Sequence, residues 1–197
     1  MTSRILRKLD VGEAVNFILD RSPETKVYIG SDSERFKLKG AWMHDTMIAV
    51  VVHVDGCHGC KVFGQVVREP DYDQRKDRPA MRLMNEVVKV AEIFAAVRKG
   101  MQEEVDRRTE VLFAQYEAEE ISERKFNKEV DILMQKLDKE MEIHLDINPD
   151  VKHGSSCVVN EAVGYIRGMC NVVPLIKPNA FAASFAADRG VRLLDQG

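Results

Sequence analysis

Several features of membrane and secreted proteins are missing from this sequence. It has no uninterrupted apolar run long enough to span a membrane, and its start, MTSRILRKLD, lacks the apolar stretch and cleavage site of a signal peptide. Only four cysteines are present, and in a reducing compartment none of them needs to pair. We therefore expect a cytoplasmic protein without a membrane span and without structural disulfides.

The sequence also lacks a strong excess of charge of either sign. Charged residues make up 31% of the chain, but the formal net charge is only -3, so any nucleic-acid-binding surface must be a local patch. Hydrophobic residues make up 45% of the 197 residues, which is enough for one well-buried core. We expect residues 1–197 to form one domain that carries an appendage.

Hydrophobic periodicity predicts three strands near the start of the chain and alternating helices and strands after them. The predicted elements are a helix at 11–20, strands at 26–30, 47–54 and 61–68, a helix from 78, a strand within 142–149, a helix at 154–169 capped by Ser155 or Ser156, a strand at 171–178 and a helix at 180–194. The first strand is expected to end near Asp32. This order predicts an α/β fold with a mixed sheet and helices on both faces.

Residues 98–141 form the predicted appendage. They are rich in Glu, Lys and Arg, and apolar residues recur at helical spacing in both halves, which predicts two antiparallel helices. The bend falls at Ile121 and Ser122, where Ser122 is a plausible N-cap. A clamp over nucleic acid, an oligomer interface and a docking arm for another protein all remain open. The mixed charge favours a protein partner or a solvated spacer.

Four acidic residues interrupt apolar surroundings. Asp32 follows the apolar strand VYIGS and Asp146 lies within IHLDI, where a lone carboxylate is costly to bury without a partner or a cation. Glu86 interrupts an apolar row of its helix and is expected to face the sheet. Asp188 follows the small residues of AASFAA, which allow that helix to approach the sheet closely.

Together the four carboxylates predict a metal site. Hard oxygen ligands suit Mg²⁺ or Mn²⁺, and two such ions about 4 Å apart can stabilise both oxygens of a phosphodiester displacement. Each acid alone has an ordinary structural interpretation as a turn, helix-edge, strand-end or surface residue. Independent surface acids would not be expected to fall, all four, on the element types and in the order that such a metal site needs. We therefore predict that Asp32, Glu86, Asp146 and Asp188 are metal ligands and catalytic residues.

Four segments, YIGSDS, EIHLDINP, SSCVVNEAVGYIRGM and IKPNAFAASFAADR, resemble the YkuK family of ribonuclease H-like proteins. The similarity spans residues 26–68, 78–96 and 142–190. It implies a five-stranded mixed sheet, with three antiparallel strands and then parallel strands, flanked by helices. It also implies an acidic metal-dependent site formed by the same four acids. The 98–141 hairpin is longer than the link expected in the family, so its role is not implied by the resemblance.

The function expected from these residues is hydrolysis of phosphodiester bonds by a two-metal nuclease that acts on an RNA/DNA hybrid or on structured DNA. Lys152, His153, Lys177 and Arg189 are candidate phosphate contacts, although solvated surface charge explains them equally well. The alternative is a non-catalytic scaffold or nucleic-acid-binding protein of the same fold whose hairpin recruits a partner. Cys57, His58 and Cys60 resemble half of a zinc knuckle, but an ordinary turn is the better interpretation.

Overall fold

The described part of the chain is built around a five-stranded mixed sheet. The computed structural model describes residues 9–56, 58–73 and 79–180. The strands are β1 (Lys26–Leu38), β2 (Ala41–His53), β3 (Cys60–Pro70), β4 (Met141–Leu145) and β5 (Leu175–Ile176). Their order in the sheet is β3-β2-β1-β4-β5, with antiparallel pairing among the first three strands and parallel pairing of β1 with β4 and of β4 with β5. The predicted fold class, a mixed sheet flanked by helices, is confirmed. A helical layer on the second face is not seen among the described residues, whose helices all contribute to the core on one face.

Four helices are described around this sheet: α1 (Val11–Leu19), α2 (Ala80–Glu117), α3 (Glu123–Leu137) and α4 (Val159–Cys170). Their buried apolar residues form the main core with one face of the sheet, to which Val27 and Ile29 contribute. Tyr28, between them, packs in a smaller cluster with Met47 and Ala49. Successive strand residues alternate between faces, so β1 separates the two clusters. The predicted last helix lies outside the described residues, and no described helix is long and apolar enough to cross a membrane.

The first strand is longer than its apolar run predicts. We expected it to end near Asp32, but β1 continues to Leu38 because β2 pairs with it along its whole length. Its parallel partner β4 stops earlier, at the pair Ser31 and Leu145. The polar second half of β1 is therefore held in the sheet by hydrogen bonds to β2. Asp32 is the first residue of β1 after its pairing with the parallel strand β4 has ended.

The first arm of the predicted hairpin is continuous with the first core helix. α2 runs without a break for 38 residues, and Met101 and Val105 in its second half are buried in the main core. Ser122 caps α3, as predicted, by accepting a hydrogen bond from the backbone N–H of Lys125 at 3.3 Å. The predicted cap of α4 was wrong. Residues 154–158 form a 3-10 turn, in which Ser155 Oγ accepts the N–H of Asn148 at 3.0 Å.

Candidate carboxylate site

The register of two parallel strands places Asp32 beside Asp146. Ser31 and Leu145 are the last paired residues of β1 and β4, and each aspartate is the next residue of its chain segment. Neighbouring strands lie about 4.8 Å apart, so both acids occupy the same edge of the sheet. Asp32 Oδ1 accepts the backbone N–H of Ser33 at 2.8 Å, and Asp146 forms an ion pair with Lys177.

Glu86 approaches the same edge from α2. Its side chain is buried, with a residue exposure of 6%, and Ser33 Oγ donates a hydrogen bond to Glu86 Oε1. Arg82, one helical turn earlier, donates to the carbonyl of Ser33 at 2.8 Å and contacts Ser33 Oγ at 2.7 Å. Ser33 and Arg82 thus hold the Glu86 carboxyl against β1, next to Asp32.

Burial raises the pKa of Glu86 from 4.5 to about 7. The hydrogen bond from Ser33 and the charge of Arg82 oppose this rise, while the negative charges of Asp32 and Asp146 add to it. Asp32 and Asp146 are therefore close enough to Glu86 for their charges to act on it. Near neutral pH, Glu86 is divided between its protonated and ionised forms, and a nearby cation would favour the ionised form.

The donor chemistry of these residues suits a hard divalent cation, because all three offer carboxylate oxygens and one of them is buried. Among the described residues, however, no group of three or more His, Cys, Asp or Glu side chains converges closely enough to hold a metal ion. Glu86 is turned toward Ser33, and Asp146 toward Lys177. The fourth predicted ligand, Asp188, lies outside the described residues. Chemistry and burial thus fit a cation, which would have to replace the present partners of Glu86 and Asp146.

The predicted phosphate-binding residues fall into two groups. Lys177 is in the carboxylate site itself, through its ion pair with Asp146. Lys152 and His153 are exposed in the turn that follows β4, where Asp150 accepts both of their backbone N–H groups at 2.9 Å. Arg189 lies outside the described residues. The structure therefore brings Lys177 next to one predicted acid, and Lys152 and His153 to the loop that follows it.

The sequence interpretation missed the residues that position Glu86. Arg82 lies four residues before Glu86, so helical spacing alone would have placed both on one face of α2. Ser33 directly follows Asp32 on a strand that we expected to have ended. Asp73, in an irregular segment, caps the start of α2 by accepting the N–H groups of Met81 at 3.1 Å and of Arg82 at 2.9 Å. No local pattern indicates that long-range cap.

Removing this cap should weaken the start of α2. We expect Asp73→Ala to lower the free energy of unfolding by about 1–2 kcal/mol, because it leaves two backbone N–H groups of the first helical turn without their acceptor. Urea unfolding measures the change, and Asp73→Asn, which keeps one side-chain oxygen, should recover part of it. An Asp73→Ala protein as stable as the wild type would show that the cap contributes nothing.

A mixed sheet in the order β3-β2-β1-β4-β5, with Asp32 and Asp146 directly after the last paired residues of β1 and β4 and Glu86 on α2, is the arrangement of the ribonuclease H-like class of α/β proteins. The sequence model of the family described as ribonuclease H-like matches residues 11–192. The chain belongs to this family, and the resemblance to its YkuK members is confirmed. No similar curated protein and no similar solved structure was found.

Proposed function

We propose that this protein is a metal-dependent nuclease that hydrolyses phosphodiester bonds in an RNA/DNA hybrid or in structured DNA. One observation supports this most directly. Asp32 and Asp146 follow the last paired residues of two parallel strands, and the buried Glu86 lies near enough to both for their charges to affect it, in a chain of the ribonuclease H-like family. Fold alone does not define a reaction, so the proposal depends on these carboxylates rather than on the sheet.

In the proposed site, Asp32, Glu86, Asp146 and Asp188 hold Mg²⁺ or Mn²⁺ through their carboxylate oxygens. When bound, two such ions supply Lewis acidity to the attacking and leaving oxygens of the phosphodiester. The chain itself fixes the geometry. Ser33 and Arg82 orient the Glu86 carboxyl, and burial of that carboxyl keeps its surroundings poor in water, where electrostatic interactions are stronger.

Lys177 has a second role in this proposal. Its ammonium group pairs with Asp146, and from this position it would contact the phosphate of a bound strand. Lys152, His153 and Arg189 are proposed as further contacts to the nucleic-acid backbone. Such contacts position a strand without reading its sequence, so they fit a nuclease that recognises its substrate by shape.

The proposal is tested by cleavage assays with labelled RNA/DNA hybrid, single strands, duplexes and branched DNA, in Mg²⁺, Mn²⁺ or EDTA. We expect at least one substrate to be cut by the wild type with metal, and none by Asp32→Asn, whose retained fold is checked by circular dichroism. If no substrate is cut and calorimetry detects no Mg²⁺ or Mn²⁺ binding, the nuclease proposal fails. The scaffold whose hairpin recruits a partner then becomes the better account.

A further inference from the structure

The hairpin that joins β1 and β2 extends beyond the third strand of the sheet. Pairing of β2 with β3 ends at Met43 and Pro70, whereas β1 and β2 stay paired up to Leu38 and Ala41. A turn at Lys39 and Gly40, both with positive φ, closes the hairpin. We call residues 37–42 the hairpin tip. Within the tip, residues 37–41 are exposed to solvent and Trp42 is half-buried.

The hairpin tip is basic, in a protein of slightly negative net charge. It contains two lysines, Lys37 and Lys39, and no acidic residue. Neither lysine forms an ion pair within the described part of the chain. Arg35, just before the tip, already pairs with Asp71 at 2.5 Å. The two lysines are therefore the charges of this region that are available to an anionic ligand.

Trp42 gives the tip a half-buried aromatic ring with cationic side chains beside it. It is the only tryptophan in the chain, and it pairs with Lys37 across the two strands. Lys37 Nζ lies 4.9 Å from the centre of its ring system, and Arg35 Cζ lies 4.3 Å from it. A basic strand with an aromatic ring among its charges is typical of surfaces that follow a nucleic-acid backbone.

The tip also lies at a suitable distance from the carboxylates. Lys37 lies five positions after Asp32 on the extended strand β1, which corresponds to about 17 Å. That distance is about the axial rise of five nucleotides of a duplex strand. Lys37 and Ser33 are an even number of residues apart on β1, so Lys37 lies on the face of the sheet to which Glu86 is hydrogen-bonded.

We propose that the hairpin tip binds the backbone of the nucleic-acid strand that the carboxylate site would cut. Lys37 and Lys39 bind its phosphates about five nucleotides from the site, and Trp42 packs against the sugar or base between them. The inference rests on the proposed function for the identity of the ligand. The inference differs from the proposed function because binding by the hairpin tip needs neither the metal nor catalysis.

The test measures binding in EDTA, so that cleavage plays no part. Fluorescence anisotropy with a labelled RNA/DNA hybrid compares the wild type with the double variant Lys37→Gln and Lys39→Gln at several salt concentrations. We expect affinity to fall about tenfold near 100 mM salt, and the slope of log affinity against log salt to become shallower by about 1.4 to 1.8, as for two lost phosphate contacts. The emission of Trp42 should also change on titration of the unlabelled hybrid.

A matched control removes the same charge elsewhere: Lys125→Gln with Lys128→Gln, on the exposed surface of α3, should leave affinity and salt slope unchanged. The tip proposal is overturned if the tip variant behaves like this control, if Trp42 emission does not respond, or if the wild type binds no hybrid. Tip-dependent binding without cleavage of any substrate would instead leave this inference standing and count against the nuclease. Cleavage of a substrate without tip-dependent binding would support the nuclease and overturn this inference.

Discussion

In metal-free buffer, Glu86→Gln should be more stable than the wild type by about 3 kcal/mol at pH 8, and equally stable at pH 4. The folded-state pKa of Glu86 is raised from 4.5 to about 7, so its contribution to stability is fully present below pH 4.5. That contribution is lost as the pH rises through 7, because the buried carboxyl must then ionise. The separation between the two pKa values corresponds to roughly 3 kcal/mol, whereas glutamine remains neutral throughout.

Urea unfolding in EDTA across this pH range measures the effect. Glu92→Gln, an exposed substitution on the same helix, serves as the control and should show no such pH dependence. Adding Mg²⁺ at pH 8 should stabilise the wild type more than Glu86→Gln, since a bound cation offsets the ionised carboxyl. A Glu86→Gln protein that is no more stable than the wild type at pH 8 would show that the Glu86 carboxyl is solvated in the folded protein rather than buried.

The fold could be predicted largely because its core follows simple periodicities. Val27 and Ile29 lie on one face of a strand and Tyr28 on the other, as alternation requires. The extent of β1 could not be predicted, because Ser33 to Leu38 belong to a strand only through their pairing with β2. The appendage shows the same limit. The charged composition from residue 98 onward predicted a separate arm, although Met101 and Val105 belong to the main core.

The candidate site likewise has residues that could be predicted from the sequence and partners that could not. Asp32, Glu86 and Asp146 were identified because a carboxylate in an apolar run is unusual, and this property is visible in sequence. Ser33 was not identified, because it is ordinary in its local context, and Lys177 was predicted as a phosphate contact rather than as the ion-pair partner of Asp146. Only the tertiary arrangement brings Ser33 Oγ to Glu86, or Lys177 Nζ to Asp146. Sequence thus predicted which side chains need compensation, and the structure adds which groups supply it.

The largest effects on activity are expected from the carboxylates acting as one unit. Asp32→Asn and Asp146→Asn should each lower the cleavage rate by about 1000-fold or more, because loss of one ligand removes several kcal/mol of transition-state stabilisation. The double variant should lose little beyond either single variant, since residues that form one metal site do not contribute independently. Single-turnover cleavage at saturating Mg²⁺ measures all three rates.

Glu34→Gln provides the matched control for these variants. It lies two residues from Asp32 on β1, is exposed, and should leave the cleavage rate within a few-fold of the wild type. Losses that multiply in the double variant would mean that Asp32 and Asp146 act in separate steps, as a general base and a phosphate-orienting group would. If both acids hold the same ions, the double variant should instead cleave at nearly the same rate as either single variant.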